Sequence, residues 1–218
     1  MKQKTIITII EILNKVYGFR QREYSPFRTL IGVVLSQRTK EEVSFPATDR
    51  LFKKAKNIYG ILKLPKKEIE KIIYPVGFYR QKARRIKEIC GILKENYDGN
   101  VPKTREKLME LPGVGGKSAD IILSYAYGQP VIACDVHVIW VSNQLGWTKS
   151  NNPEKVREDL HRIIPVKYRR TLNDILVQFG KEICKTGRPK CYECLIRKYC
   201  PNAEKWLKKY SKIYHSKS

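Results

Sequence analysis

Apolar residues recur along this chain at the spacing of an α-helix, and that spacing restricts the fold more than any other feature. An i, i+3, i+4, i+7 pattern lines one face of a helix, whereas the alternation that predicts strands is nowhere convincing. Pro and Gly interrupt the pattern at short intervals. The clearest stripes are Ile6-Ile9-Ile10-Leu13, Ala119-Ile122-Leu123-Ala126, Val156-Leu160-Ile163 and Tyr168-Leu172-Ile175-Leu176-Phe179. We therefore predict an all-α protein of about ten helices joined by short turns.

The size and composition predict a folded protein that needs no disulfide or metal merely to fold. The chain has 218 residues, of which 42% are hydrophobic and 30% charged, enough to build a core. Its apolar runs are too short for a transmembrane helix. The apolar run after Lys4 soon meets Glu11, and no small-residue cleavage site follows, so we expect no signal peptide. We expect an intracellular, cytoplasmic monomer that binds no membrane.

Excess positive charge points to a polyanionic partner. The chain has 44 Lys and Arg against 21 Asp and Glu, a formal net charge of +23. Two basic concentrations stand out, residues 80–94 and residues 181–218, the latter with 11 Lys and Arg against three Glu. No long helix has the Lys-rich face opposite Trp and Phe that membrane binding requires. Nucleic acid is the partner that this charge favours.

The segment Leu111-Pro112-Gly113-Val114-Gly115-Gly116-Lys117-Ser118-Ala119 lies between two helical patterns. Gly113 and Gly115 permit backbone conformations that other residues rarely adopt and let a phosphate approach the main chain. Amides at the start of the second helix then favour an anion, and we expect Val114 to fill the inside of the turn. The pattern predicts a helix-hairpin-helix that binds the DNA backbone, although a glycine turn of purely structural use is the simpler alternative.

Lys117 opens the second helix of this predicted hairpin. Most lysines are solvated surface groups or phosphate contacts. At a helix N-terminus, however, the positive end of the dipole disfavours the ammonium form. A neutral lysine is a nucleophile that forms Schiff bases with carbonyl carbons, and the C1′ of a deoxyribose that is losing its base is a suitable electrophile. Lys117 is therefore a candidate catalytic residue.

Asp135 is the second candidate catalytic residue. It stands in Cys134-Asp135-Val136-His137, just before another helical pattern. Its simplest role is an N-cap for that helix. The alternative role is a carboxylate that faces a cationic sugar and accepts or relays the proton of the nucleophile.

Four cysteines near the C-terminus predict a metal site. Cys184, Cys191, Cys194 and Cys200 have the spacing C-x6-C-x2-C-x5-C, which in an intracellular protein favours a metal over disulfides. Four thiolates suit a structural zinc ion and equally an iron–sulfur cluster, and the spacing alone does not decide between them. Cys90 and Cys134 stand apart, and we expect them to be buried thiols.

The hairpin segment, Asp135 and the cysteine quartet together resemble the endonuclease III family of helix-hairpin-helix DNA glycosylases. The resemblance extends from about residue 25 to residue 200 and includes Ser25-Pro26-Phe27, Gly77-Phe78-Tyr79 and Gly99-Asn100-Val101-Pro102. It implies a [4Fe–4S] cluster and two helical lobes. A six-helix lobe would span residues 21–130, with the helix-hairpin-helix at about 104–127. A cluster lobe would combine residues 1–20 with 131–218 and hold the cluster loop at 184–200.

The resemblance also implies roles for single residues. Lys117 and Asp135 correspond to the catalytic pair, Gly113, Val114 and Gly115 to the phosphate-binding hairpin, and the four cysteines to the cluster ligands. Phe78 corresponds to an apolar wedge against the opposite strand. The loop between the first two cysteines would bind DNA through Lys185, Arg188 and Lys190. The stretch Leu35-Ser36-Gln37-Arg38-Thr39-Lys40-Glu41 departs from the pattern of the family. Within it, either Gln37 or Arg38 would fill the gap left by the flipped base.

These features predict an enzyme of DNA base excision repair. We expect a bifunctional glycosylase that removes oxidised pyrimidines from double-stranded DNA and cleaves the abasic site by β-elimination. One alternative is a mismatch-specific thymine or uracil glycosylase of the same superfamily, although those branches generally lack a lysine at the position of Lys117. The other alternative is a non-enzymatic DNA-binding protein with a structural metal, which would require neither Lys117 nor Asp135.

Overall fold

The computed structural model describes residues 2–18 and 25–214, without the side chains of residues 211–214. Throughout these ranges the chain is helical, with twelve α-helices, one short 3₁₀ helix and no strand. The predicted all-α class is confirmed. None of the helices in the described part is long and apolar enough to cross a membrane.

The chain divides into two compact units. The first combines Met1–Gln21 with Pro130–Ser218, and the second is Arg22–Gln129. The predicted boundary between residues 20 and 21 lies outside the described residues.

Seven helices form the described part of the second unit, residues 25–129, where the resemblance implies six. They are α2 Pro26–Ser36, α3 Glu41–Lys54, α4 Ile58–Lys63, α5 Lys66–Ile73, α6 Tyr79–Asn96, α7 Arg105–Met109 and α8 Gly116–Tyr127. Two of them, α4 and α7, are only six and five residues long. The short α4 is stabilised by a local cap, because the Asn57 side chain accepts a hydrogen bond from the Gly60 amide at 2.9 Å.

Helix α2 lies at the centre of the second unit. It packs against α3, α6 and α8, and its Leu30, Ile31, Val34 and Leu35 are completely buried. A local cap begins this helix, since Ser25 accepts from the Arg28 amide and Pro26 follows at the first helical position. Because α2 ends at residue 36, residues 37–40 directly after it lie at the surface, next to the core.

The first unit contains α1 Gln3–Tyr17, α9 Val136–Gln144, α10 Pro153–Ile163, α11 Val166–Glu182, a 3₁₀ helix Arg197–Tyr199 and α12 Ala203–Tyr214. Helix α11 packs against both α1 and α9. The apolar stripes of α1 and α11 meet in one core, as their helical spacing predicts. Three of the four quartet cysteines, Cys184, Cys194 and Cys200, pack against that core as partly buried residues.

Candidate active site and nucleic-acid interface

The predicted helix-hairpin-helix is formed by α7, a tight turn and α8. Leu108, Leu111 and Val114 are buried beneath the turn, and Val114 retains only 4% of its exposure. Backbone bonds from the Leu111 amide to Leu108 and from the Val114 amide to Leu111 tighten it. Gly113 has φ +75°, in the left-handed region that costs other residues steric strain. The turn therefore depends on glycine at position 113.

The backbone conformation at position 115 does not require glycine. The prediction that Gly115 adopts a conformation rare for other residues is wrong. Its φ is −94° and its ψ 178°, which any residue adopts. A Cβ built at Gly115 would meet nothing within 4 Å, so the space beside this exposed residue is open. Glycine here keeps the approach to the main chain clear.

Lys117 is exposed and is the second residue of α8. The first intrahelical hydrogen bond of α8 runs from the Ala119 amide to the Gly115 carbonyl at 2.9 Å. The amides of residues 116–118 therefore precede the helical hydrogen-bond pattern, at the positive end of the helix dipole. This position suits an anionic ligand beside the hairpin.

A buried ion pair joins the two helices of the hairpin. Arg105 Nε of α7 lies 3.3 Å from Asp120 Oδ1 of α8, and the Asp120 side chain is only 1% exposed. Because breaking a buried pair leaves an uncompensated charge, this contact fixes α7 relative to α8. Since Asp120 lies one helical turn after Lys117, the pair also orients the helix that carries Lys117.

Gln37 and Arg38, the two candidates for the residue that replaces a flipped base, differ in their surroundings. Gln37 is half-buried, and its Nε2 donates to the Gly113 carbonyl at 2.7 Å. Its Oε1 accepts from Arg85 at 3.2 Å. Arg38 is exposed and has φ +50°. Only Arg38 projects into solvent, whereas Gln37 is bound to the hairpin.

Phe78 lies beside Arg38. It is 56% exposed and has a left-handed φ of +57° at the position that precedes α6. The guanidinium carbon of Arg38 lies 5.9 Å from the centre of the Phe78 ring, within the range of a cation–π contact. The structure therefore brings together Arg38, Phe78 and, through Gln37, the hairpin.

Asp135 belongs to the other unit and caps α9. Its Oδ1 accepts from the amides of both His137 and Val138 at 2.9 Å, which confirms its interpretation as an N-cap. The segment before it is held by side chains of α10 and α11: His161 Nε2 accepts from the Ile132 amide at 3.1 Å, and Asn173 donates to the Ala133 carbonyl at 2.6 Å. Asp135 is therefore rigidly placed.

The four quartet cysteines line one pocket in the first unit. None of them forms a disulfide, and apolar side chains such as Leu145, Phe179 and Ile196 complete the lining. Burial, followed by the neighbouring thiols, raises the pKa of Cys184 to about 12 and that of Cys191 to about 11. Among the described residues, no three His, Cys, Asp or Glu side chains converge closely enough for a single metal ion.

The basic loop, residues 185–190, is supported by α12. Tyr210 of α12 donates to the Gly187 carbonyl at 2.6 Å, and the Arg188 guanidinium carbon lies 5.9 Å from the Tyr210 ring. Lys185 and Arg188 are exposed. Lys190 is half-buried, and its Nζ lies 3.4 Å from Glu193 Oε2. The charge of Lys190 is therefore partly neutralised within the chain.

Comparison with known proteins identifies the family. Residues 31–166 match the family described as HhH-GPD superfamily base excision DNA repair protein. The chain belongs to this superfamily. Endonuclease III of Thermotoga maritima is 41% identical over 186 residues, which are 85% of this chain and 87% of that protein. The predicted resemblance to endonuclease III is confirmed.

Solved structures of DNA-repair enzymes are similar to this chain over most of its length. A trapped endonuclease III–DNA covalent intermediate superposes with a TM-score of 0.85 at 33% identity, covering 95% of this chain and 99% of that one. A thermostable thymine-DNA glycosylase superposes with a TM-score of 0.84 at 28% identity, covering 93% and 97%. As an HhH-GPD protein, the chain is a base-excision repair enzyme of the DNA glycosylase and lyase class. The non-enzymatic alternative is not supported.

Sequence reasoning missed several residues that position this HhH-GPD site. Lys82 lies beneath the turn at residues 36–39, and Arg85 lies between this turn and the hairpin. The others are the Arg105–Asp120 pair and Tyr210, which supports the basic loop. The basic concentration in residues 80–94 predicted a phosphate-binding surface, but Lys82 is buried and only 3% exposed. The helical spacing could have indicated this, since Lys82, Ala83, Ile86, Ile89, Cys90 and Leu93 share the buried face of α6.

Proposed function

We propose that this enzyme removes oxidised pyrimidines from double-stranded DNA and then cleaves the abasic site, with Lys117 as the nucleophile. The observation that carries the proposal is the place of Lys117, an exposed lysine in the first turn of α8 directly after the hairpin. The similarity to a trapped endonuclease III–DNA covalent intermediate supports it. We also propose that the enzyme acts as a monomer.

In the proposed reaction the neutral Lys117 amine adds to C1′ of the damaged nucleotide. The bond from C1′ to the base breaks, and its electron pair leaves with the base, which takes up a proton. Opening of the sugar ring gives an imine between C1′ and Nζ. Loss of a C2′ proton then expels the 3′ phosphate by β-elimination, and water hydrolyses the imine to free the lysine.

Asp135 supplies the negative charge that this reaction requires. Its carboxylate would accept the proton of the Lys117 ammonium and stabilise the cationic sugar. The cap explains its rigidity, because two α9 amides hold one carboxylate oxygen in place. In this proposal the Asp135 side chain is both the N-cap of α9 and a catalytic group, and its capping hydrogen bonds orient the carboxylate for the reaction.

The DNA-binding residues follow from their exposure. Gly113 and Gly115 would receive a phosphate beside the first-turn amides of α8. Arg38 would fill the gap left by the flipped nucleotide, and the neighbouring Phe78 would support the opposite strand. Gln37 would position the turn without entering the DNA, because both ends of its amide are already bound within the chain.

We propose that Cys184, Cys191, Cys194 and Cys200 hold a [4Fe–4S] cluster. The four cysteines line one pocket with no disulfide between them, and the chain is similar to endonuclease III over most of its length. A cubane binds one thiolate at each of its four irons, so these four cysteines would complete its coordination. When bound, the cluster would supply structural support for the 185–190 loop, which follows its first ligand.

The mismatch-specific alternative is retained for one reason. A thermostable thymine-DNA glycosylase shares the fold with a TM-score of 0.84. Lys117 favours the lyase, since a glycosylase that activates water has no need of an amine at this position. A panel of duplexes, each with one oxidised pyrimidine or one thymine or uracil opposite guanine, distinguishes the two substrates.

Borohydride trapping tests the central assignment. With DNA that contains an abasic or oxidised site, the wild-type enzyme should be trapped covalently, whereas Lys117→Gln should lose both trapping and strand cleavage while still binding DNA. Lys107→Gln on α7 replaces another exposed lysine of the hairpin and should behave as wild type. If Lys117→Gln still cleaves and crosslinks at the wild-type rate, another amine is the nucleophile and the proposal is wrong.

A further inference from the structure

The ammonium group of Lys82 is buried beneath the end of α2. Its Nζ donates to the Leu35 carbonyl at 2.8 Å, to the Gln37 carbonyl at 2.5 Å and to Thr39 Oγ1 at 3.0 Å. These three acceptors use all three donors of the ammonium. Two of them are carbonyls at the C-terminal end of α2, where the helix dipole favours a cation.

The turn that Lys82 holds contains a strained residue. Arg38 has φ +50°, in the left-handed region that strains a non-glycine residue. Such a conformation persists only when the neighbouring residues are fixed. Lys82 binds the residue on either side of Arg38. Gly77 adds a third restraint, because its amide donates to Thr39 Oγ1 at 3.1 Å.

The same turn is tied to the hairpin from its other side. Gln37 donates to the Gly113 carbonyl and accepts from Arg85. Arg85 lies three residues after Lys82 on α6, so both side chains leave the same face of the helix. One helix therefore carries a cation beneath the turn and a second cation beside the hairpin.

We propose that Lys82 is a positioning residue for base excision: its ammonium holds the residue 36–39 turn so that Arg38 is presented to the DNA at a set distance from the hairpin. This inference rests on the proposed function, because Arg38 enters DNA only if the enzyme flips a nucleotide. Lys82 itself would touch no substrate. Merely filling the space would not require a charge, since an apolar side chain avoids the cost of burying an ammonium.

Lys82→Met tests this role, because methionine keeps an unbranched side chain as far as Cε and removes the ammonium with all three donors. Hydrogen exchange of the amides at residues 37–40 should accelerate by about tenfold or more. Base excision from duplex DNA under single turnover should fall by roughly 10- to 100-fold, since small misplacements have such effects. β-Elimination at an abasic site in single-stranded DNA, which requires no flipping, should remain close to the wild-type rate.

Lys87→Met is the matched control. Lys87 lies on the same helix, and its Nζ also donates to two carbonyls, those of Leu62 and Leu64 at 3.0 and 2.8 Å. This variant loses a comparable set of hydrogen bonds without touching the turn. It should leave both excision and exchange at residues 37–40 unchanged, whatever it does to the melting temperature.

Three results separate the possible failures. If Lys82→Met leaves exchange at residues 37–40 and duplex excision unchanged, the inference is wrong. It is equally wrong if duplex excision and single-strand cleavage fall together. If the wild-type enzyme neither excises nor cleaves, the proposed function fails instead. Should Lys82→Met not fold, Lys82→Arg keeps the charge but places a planar guanidinium among three convergent acceptors, and it should show the same selective loss.

Discussion

The guanidinium of Arg85 occupies the space in which any side chain at Gly113 would begin. A Cβ built on Gly113 would lie 2.5 Å from the guanidinium carbon of Arg85, closer than two such atoms can approach. Since Arg85 also donates to Gln37, the absence of a side chain at position 113 lets the hairpin pack directly on α6.

Gly113→Ala should therefore destabilise the protein, whereas Gly115→Ala should not. The alanine at 113 would carry a left-handed φ at a cost of about 1 to 2 kcal/mol and would also displace Arg85. At position 115 the backbone conformation is open to any residue and the space beside it is empty. The unfolding free energy of Gly115→Ala should therefore agree with that of the wild type within about 0.5 kcal/mol. Urea unfolding measures both. Equal destabilisation by the two substitutions would contradict the geometry of the turn.

Substitutions at Asp135 should separate its cap from its chemistry. Asparagine is as good an N-cap as aspartate, so Asp135→Asn should melt near the wild-type temperature and still bind DNA. Its single-turnover excision rate should fall by about 10²-fold or more, because a neutral amide neither stabilises a cation nor accepts a proton. Asp135→Ala should lose about 1 kcal/mol of stability as well. An asparagine variant of wild-type rate would remove Asp135 from the mechanism.

Metal analysis should find iron and sulfide in the purified protein. Protein made under iron-replete, anaerobic conditions should be yellow-brown and contain about four iron and four sulfide per chain. Cys194→Ser should lower this content and weaken DNA binding, whereas Cys90→Ala and Cys134→Ala, which change cysteines outside the quartet, should keep it. Stoichiometric zinc in place of iron would overturn the cluster assignment.

The three basic residues of the basic loop should contribute unequally to DNA affinity. Removing the exposed charges in a Lys185→Gln, Arg188→Gln variant should weaken binding to damaged and undamaged duplexes alike and make the salt dependence shallower by about two units of slope. Lys190→Gln should do less, since Glu193 already lies 3.4 Å from that ammonium. Lys155→Gln on α10 provides a control outside the loop. Unchanged affinity in the double variant would show that the loop does not face phosphates.

The buried Lys82 should make stability depend on alkaline pH. Burial, followed by repulsion from Arg85, lowers the pKa of Lys82 from 10.5 to about 8. Between these values the unfolded chain binds the proton more readily than the folded one, so raising the pH favours folding. The unfolding free energy of wild type relative to Lys82→Met should therefore be constant below pH 8 and rise towards pH 10.5. A relative stability that falls over this range would contradict the lowered pKa.

Much of the fold and of the candidate site is encoded locally. Helical stripes such as that of α11 predicted the all-α class, because periodicity reports which face of a helix is buried. The central segment of the hairpin, with its glycines and Lys117, occupies nine consecutive residues, 111–119, and the cysteine quartet lies within residues 184–200. Short segments of this kind carry their chemistry in residue type and spacing. The N-cap role of Asp135 was predictable for the same reason.

The tertiary structure alone decided how these segments are joined. The bond from Gln37 to Gly113 links residues 76 positions apart, and those from Lys82 to Leu35 and Gln37 span 47 and 45 positions. The acceptors in these bonds are backbone carbonyls, which every residue possesses, so the pattern of side chains in the sequence does not indicate them. Among the lysines and arginines of the described residues, Lys82 is the buried one. Only packing against α2 distinguishes it, because the same chemical group is a surface charge in water and a structural donor when it is buried.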